Sequence, residues 1–426
     1  MWILYQIVFA LSLALAGPFL LLRRGRHYVE SLPGRLGRYR GPVPEAPVWL
    51  HAVSVGEVGV AGTVAAALPD TLPLLVTTIT PTGQSRARAT LSDRAAIAYF
   101  PYELGFAISC FLDHFCPRAL ILIEGDLWPL VLTRVKDRGL PVMVVNGRIS
   151  DGSYRRMRRI RRLLGPILSR VDRFAVQTGE DQRRLAALGV ALSKIVVTGN
   201  LKFESAPPRP RPELETRLRQ AAGERPILIA GSTMRDEEQK VLDAFERLGG
   251  GERALLLLAP RHPERWGVVD ELLAKRRFRS VRRSRLAPDD RPDVVLLDTL
   301  GELASLYRLG AATFIGGTLV ASGGHNPLEA ARFGVPIATG ASMENFRDIA
   351  RQFDDAAAWR RVADADELAA AWHEWLGDPQ AGRLVGARGA DLVVANQGAL
   401  ARTLEALQPL LARHGGGQVA QAANTE

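Results

Sequence analysis

The stretch HAVSVGEVGVAG, residues 51–62, follows the apolar run Val48-Trp49-Leu50 and reads as a strand, a glycine-punctuated turn and a helix of small residues. A strand that turns directly into a helix opens a βαβ unit, and such turns usually hold a phosphate on backbone N–H groups at the helix start. Two details argue against a dinucleotide here. Gly56, Gly59 and Gly62 are spaced G-x-x-G-x-x-G, and the next strand ends TTITPTG (77–83) without an acid. The dinucleotide fingerprint needs G-x-G-x-x-G and an acid about 20 residues further on for the ribose. Glu57 also places negative charge where a phosphate would sit. Position alone leaves two readings of Glu57: a carboxylate that complements the helix dipole, or a general base at the carboxyl end of a strand.

Outward from this turn the strand–helix rhythm continues. VWLHAVS, LPLLVTTIT, AAIAYF, RALILIE, VMVVNGR and RFAVQT are near-continuous apolar runs separated by helix-length segments. Such runs predict a parallel sheet covered on both faces. The proline-rich APPRPRPELE (206–215) interrupts the pattern as a linker. The rhythm then restarts with PILIAGS, ALLLLAP, DVVLLD, ATFIGG and VPIATG, with helices over 235–248 and 302–308 among them. The expected architecture is α/β, two doubly wound Rossmann-like domains facing a cleft. The first domain spans 48–205 and the second 215–413, joined by a linker over 206–214 and followed by a disordered tail over 414–426.

Composition narrows the class. Of 426 residues 47% are hydrophobic and 23% charged, which suffices for packed cores, and 55 Lys and Arg stand against 45 Asp and Glu. The two cysteines, Cys110 and Cys116, make neither a disulfide framework nor a zinc site and are expected as buried thiols in a reducing compartment. The first 22 residues carry no charge and are followed by RRGR. That pattern predicts an uncleaved, single-pass N-terminal transmembrane anchor with the rest of the chain in the cytoplasm. Residues 23–47 form a basic linker. A cleaved signal peptide would carry charge before its apolar run, and none is present.

Several strand ends carry chemistry. TPTGQSRAR (80–88) offers Thr80, Thr82, the Gly83 N–H and two arginines to an anionic group, or else ordinary N-capping by Thr82 or a neighbour. EGDLWP (124–129) puts Glu124 and Asp126 at the end of a buried strand, and VNGRIS and TGNLKFE bring Arg148 and Lys202 as candidate stabilisers of developing negative charge. LAPRHPER (258–265) ends a strand with Pro260, Arg261 and His262, suited to phosphate or carboxylate. FIGGTLVASGGHNPLEAARFG (314–334) is the densest motif. Asn326 reads as N-cap, Pro327 as N1 and Glu329 as N3 of a helix whose start would also suit a nucleotide phosphate. There is no P-loop, no Ser-His-Asp pattern and no paired His or Cys set, and PDDRPD (288–293) is a charged loop rather than a metal site. Neither an essential metal nor a cofactor is expected.

Two basic clusters remain. SYRRMRRIRRLLGPILS (153–169) carries six arginines between 155 and 162, with Tyr154, Met157, Ile160, Leu163, Leu164 and Ile167 at helical spacing. It predicts one amphipathic helix against anionic lipid rather than nucleic acid. KRRFRSVRRSR (275–285) is either a solvated face or part of the same footprint.

Together HAVSVGE, TTITPTG, LWP, GNLKF, AGST, PRHPER, GEL (301–303), GGHNPLEAA and ENF (344–346) resemble, in their order, the 3-deoxy-D-manno-octulosonic acid (Kdo) transferases of lipid A assembly over nearly the whole chain. The resemblance implies a GT-B glycosyltransferase fold and inverting, metal-independent transfer of Kdo from CMP-Kdo to lipid IVA, a tetraacylated, phosphorylated glucosamine disaccharide. The reaction would run at the cytoplasmic face of the inner membrane, with anionic lipids as further partners. It implies Glu57 as general base, Glu124 and Lys202 as transition-state stabilisers, and a CMP site at Pro260, Arg261, His262, Gly301, Glu302, Leu303 and Asn326, Pro327, Leu328, Glu329. The acceptor would lie at Thr80, Thr82, Gly83 and Arg148. The chain departs from the family pattern at Gly125 and Asp126, where threonine and glutamate are usual, and at Met234, where histidine is usual. The rival readings are a GT-B enzyme using a UDP-sugar and a membrane-anchored nucleotide sensor.

Overall fold

A computed structural model describes residues 5–7, 9–13, 15, 29–39, 43–204 and 208–412. Contacts divide the chain into two units, residues 1–206 with 397–426, and residues 207–396. The expected tail over 414–426 lies outside the described residues.

In the first unit the apolar runs become β1 (Val48–His51), β2 (Leu74–Thr78), β3 (Ala96–Tyr99), β4 (Ala119–Ile123), β5 (Val142–Gly147), β6 (Arg173–Val176) and β7 (Ile195–Val197). They form one parallel sheet in the order β3-β2-β1-β4-β5-β6-β7. Every residue of β1 and β4 is buried, because helices cover both faces. Leu50 lies opposite Val76 on one side and Ile121 on the other, which sets the register of the three central strands. The chain leaves β1 toward β2 and later returns on the other side to β4. That reversal is the topological switch point, where the crevice at the carboxyl ends of the strands opens.

The second unit repeats the plan with β8 (Ile227–Thr233), β9 (Leu255–Pro260), β10 (Ser280–Arg282), β11 (Val294–Leu296), β12 (Gly310–Ile315), β13 (Ile337–Thr339) and β14 (Arg360–Arg361). Its parallel order is β10-β11-β9-β8-β12-β13-β14, so the switch point lies between β8 and β12. Three sheet edges, β7, β10 and β14, were not expected from the sequence; they are two or three residues long and mostly half-buried or exposed.

Five expectations need correction. The helix Ala399–Ala412 belongs to the first unit, not the second. Its Ala399, Ala406, Leu407 and Leu411 join the core that contains Val48, Leu50 and Val76, and Arg402 Nε donates to the Thr198 carbonyl at 2.9 Å. The linker is shorter than expected, since Pro212 already opens the helix Pro212–Ala222; residues 29–35, read as basic linker, are helical. Cys110 and Cys116 are exposed, not buried. The arginine-rich segment is two helices, Asp151–Arg159 and Arg161–Leu168, hinged at Ile160, whose carbonyl accepts the Leu163 and Leu164 N–H groups. The expected anchor is not supported, since among the described residues no helix is long and apolar enough to cross a membrane. Residues 1–4, 8, 14 and 16–28 of the expected anchor and the chain that follows it lie outside the described residues. The described part is helical; Phe9 packs on Tyr102, and Gln6 Oε1 accepts the Gly105 N–H at 2.8 Å.

Candidate active site

Both switch points place a glutamate just after the first strand, and the two are used differently. In the first unit Ser54 caps the helix Val55–Ala67. Its hydroxyl donates to Glu57 Oε1 at 2.8 Å, and the Val53 N–H donates to Oε2 at 2.8 Å. Glu57 therefore takes part in the cap, so the helix-start reading of this residue is correct as far as it goes. The carboxyl is also buried. Burial pushes it up from 4.5 to about 7; the two hydrogen bonds oppose that shift, and the nearby Glu124 and Asp126 charges add to it. A carboxyl poised near neutrality is what a general base requires. Capping orients the side chain, and burial sets its basicity.

Thr80 holds the same turn from the side. It caps the helix Pro81–Leu91, accepting the Gly83 N–H at 3.0 Å, and donates to the Val53 carbonyl at 3.1 Å. Thr80, not Thr82, is thus the cap, and the Thr82 hydroxyl is 3.5 Å from that of Thr80. Gly83 is buried within the first turn of that helix.

Across the switch point Glu124 follows β4 with φ 59°. This left-handed conformation is costly for a glutamate. It is held by the Glu124 N–H donating to Val145 O at 2.8 Å and by a 2.8 Å ion pair between Glu124 Oε1 and Lys202 Nζ. Asn146, also left-handed, accepts the Leu201 N–H at 2.9 Å and so draws the Lys202 segment to the end of β5. Arg148 follows, its N–H 3.4 Å from Glu124 O. Gly125 sits at φ 106°, a conformation rarely open to the threonine usual in the resembled family. Asp126 is raised by burial and then by Glu124. The structure thus gathers Glu57, Glu124, Lys202 and Arg148 at one edge of the first sheet, with Thr80 and Gly83 beside the Glu57 turn.

In the second unit the candidate donor residues follow β9, β11 and β12, all parallel, so they share one edge of the sheet. Arg261 N donates to the Thr233 carbonyl at 2.9 Å, fixing the turn Pro260–His262 against the end of β8. His325, which the sequence reading did not include, is held down to about 4, by burial first and then by the neighbouring Arg261. Its place between Gly324 and Asn326 in the densest motif was the available signal. The expected cap at Asn326 keeps its side-chain bond, although the helix bounds begin one residue later than expected. The helix is one turn, Leu328–Ala331; Asn326 Oδ1 accepts the Leu328 N–H at 3.1 Å and its amide reaches Glu329 Oε1 at 3.4 Å. The Glu302 carboxylate is buried and committed to Arg283 at 2.7 Å, to Arg211 at 3.4 Å and to the Thr299 hydroxyl. Gly301 and Leu303 flank it. Among the described residues no group of three His, Cys, Asp or Glu side chains is placed to hold a metal.

The basic clusters also separate. In 275–285, Arg276 pairs with Asp243 and Glu246, Arg279 with Asp293, Arg282 with Asp270 and Arg283 with Glu302. That cluster is largely neutralised, and Asp293 of the charged loop is one of its partners. Arg155, Arg156, Arg158, Arg159, Arg161 and Arg162 are all exposed. Ile160 and Leu163 stand exposed among them, at 48% and 55%, while Tyr154, Met157 and Leu164 pack on the core.

Comparison with known proteins identifies the family and the fold. A profile of the 3-deoxy-D-manno-octulosonic-acid transferase (kdotransferase) family matches residues 30–205. The chain is 35% identical over 408 residues to a 3-deoxy-D-manno-octulosonic acid transferase of Haemophilus influenzae, covering 93% of this chain and 95% of that one. It is 34% identical to that of Bordetella pertussis, covering 91% and 94%. The crystal structure of a glycosyltransferase from Rickettsia africae ESF-5 superposes with a TM-score of 0.52 at 13% identity, covering 87% of this chain and 100% of that one. With two parallel seven-stranded α/β sheets, the fold is that of GT-B glycosyltransferases. The chain belongs to the Kdo transferase family of glycosyltransferases.

Proposed function

We propose that this enzyme transfers Kdo from CMP-Kdo to lipid IVA at the cytoplasmic face of the inner membrane, with inversion and without a metal. The observation that carries the reading is Glu57, a buried carboxyl poised at about 7 at the switch point of the first sheet. A sugar hydroxyl is a weak nucleophile, and Glu57 takes its proton as the oxygen attacks the anomeric carbon of Kdo. The bond to the CMP phosphate breaks as the new glycosidic bond forms, on the opposite face of the sugar. Lys202, oriented by Glu124, stabilises negative charge in the transition state. Thr80, Thr82, Gly83 and Arg148 form the acceptor side. Pro260, Arg261 and His262, Gly301, Glu302 and Leu303, and Asn326, Pro327, Leu328 and Glu329 form the CMP site, Glu302 through its backbone because its carboxylate is already paired.

The exposed arginines of the two short helices, with Ile160 and Leu163 between them, support docking to an anionic lipid surface. The test of the reaction is mass spectrometry of lipid IVA after incubation with enzyme and CMP-Kdo, alongside melting curves with CMP or UDP. Products heavier by whole Kdo units and stabilisation by CMP are expected. Stabilisation by UDP alone overturns the donor assignment.

A further inference from the structure

The second switch point also holds a glutamate, but there the carboxylate is consumed by backbone. Glu237 opens the helix Glu237–Leu248 and is fully buried. Its Oε2 accepts the Met234 N–H at 2.9 Å and the Gly317 N–H at 2.6 Å; its Oε1 accepts the Thr318 and Leu319 N–H groups, each at 2.8 Å. Four main-chain donors from two separate strand ends thus converge on one side chain. Little else fits there. A Cβ on Gly316 would lie 2.4 Å from Ser232 O, and one on Gly340 would lie 2.2 Å from Thr318 O. The ends of β8, β12 and β13 meet backbone to backbone; Glu237 is the acceptor shared by the N–H groups that follow β8 and β12, and the Gly340 N–H after β13 donates to the Thr318 hydroxyl at 2.8 Å.

The connections run onward to both candidate donor segments. On one side, Met234 adjoins Thr233, whose carbonyl accepts the Arg261 N–H at 2.9 Å. On the other, the Gly317 carbonyl accepts the Gly324 N–H at 2.8 Å, one residue before His325 and two before Asn326. We propose that Glu237 is a positioning residue for the donor: it holds the turn Gly317–Leu319 to the end of β8 and thereby sets the distance between the Pro260–His262 turn and the Asn326–Glu329 segment. Because these N–H groups are spent on Glu237, the donor phosphate is held by the flanking segments and not by this turn. The inference rests on the reading that the second unit binds a CMP-sugar.

Glu238 supplies the control. It is equally buried in the same helix turn, but its carboxylate pairs through two 3.0 Å bonds with Arg265 and receives no N–H of the Gly317–Leu319 turn. In full-length enzyme, Glu237→Gln leaves two of the four N–H groups facing an amide donor. Its KM for CMP-Kdo is expected to rise about tenfold while the KM for lipid IVA stays within about twofold. Glu238→Gln is expected to lower the melting temperature while leaving the donor KM within about twofold. A donor KM unchanged in Glu237→Gln, or raised equally in both variants, overturns the proposal. Hydrogen exchange on the wild-type protein needs no variant to fold: the Gly317, Thr318 and Leu319 amides should exchange as slowly as those of β12, and rapid exchange refutes the clamp. If wild-type enzyme neither binds CMP nor transfers Kdo, the functional reading fails, while the exchange result still judges the clamp.

Discussion

Glu57→Gln separates the chemistry of the site from its stability. With the carboxyl raised from 4.5 to about 7, the ionised form in the folded protein is disfavoured by about 3 kcal/mol relative to the unfolded chain. The folded state binds this proton more tightly than the unfolded one. The stabilising contribution is therefore complete below pH 4.5 and is lost as pH rises through 7. Glutamine keeps the shape without the charge and removes that penalty. It gives back about 1–2 kcal/mol, because its amide NH2 donates rather than accepts, so only one of the Val53 N–H and Ser54 hydroxyl donors keeps an oxygen acceptor. At pH 8 the variant should be more stable than wild type by about 1–2 kcal/mol, a rise of about 2–8 °C in melting temperature. At pH 5, where wild-type Glu57 is protonated, the gain vanishes or reverses. Transfer should fall by about 10²–10⁴-fold. In the wild type, kcat/KM should drop about tenfold per pH unit below 7. The assays are melting curves at pH 5 to 8 and product mass spectrometry. A melting difference that does not change with pH refutes the raised carboxyl, and wild-type turnover in the variant refutes the base.

Other perturbations test neighbouring assignments. Lys202→Met leaves Glu124 without its cation and should cut turnover by about 10²-fold; because both side chains are only about one quarter exposed, stability should fall by about 1–3 kcal/mol, and adding Glu124→Gln should restore stability without restoring turnover. Leu407→Ala should destabilise the first unit by about 2–4 kcal/mol, measured as faster proteolysis within residues 48–204; cleavage only in the second unit would contradict the helix assignment. Replacing the six arginines between 155 and 162 by glutamine should weaken sedimentation with phosphatidylglycerol vesicles in a chain lacking residues 1–22, and binding should fall with salt. Unchanged binding would exclude that face. Transfer should persist in excess EDTA, and loss restored by a divalent cation would contradict metal independence.

The strands legible in the sequence were those written as apolar runs, most of them buried on both faces like ALILI and LLLLAP, and one of them, AIAY of β3, a half-buried sheet edge. Edges β7, β10 and β14 carry no run of that length. Arg360–Arg361 pairs with β13 as a two-residue strand of charged side chains, which leaves no apolar pattern to read. The single amphipathic helix expected over 153–169 had the right apolar spacing, but spacing does not reveal the hinge at Ile160. The same limit applied to the last helix: its apolar stripe predicts burial but cannot say against which sheet.

The sequence alone determined the architecture and the identity of the chemical groups, since both are carried by local pattern and by short motifs contiguous in the chain. Tertiary structure decided what each acid does. Glu57 and Glu237 each follow the first strand of a parallel sheet near a helix start, and no local pattern separates their roles. One receives two hydrogen bonds and, through burial and two nearby acids, a raised affinity for its proton. The other receives four backbone N–H groups, three of them from residues 80 to 82 positions away. Those donors, like the arginines that close on Glu302, come from distant parts of the chain, and only folding brings them within hydrogen-bond range.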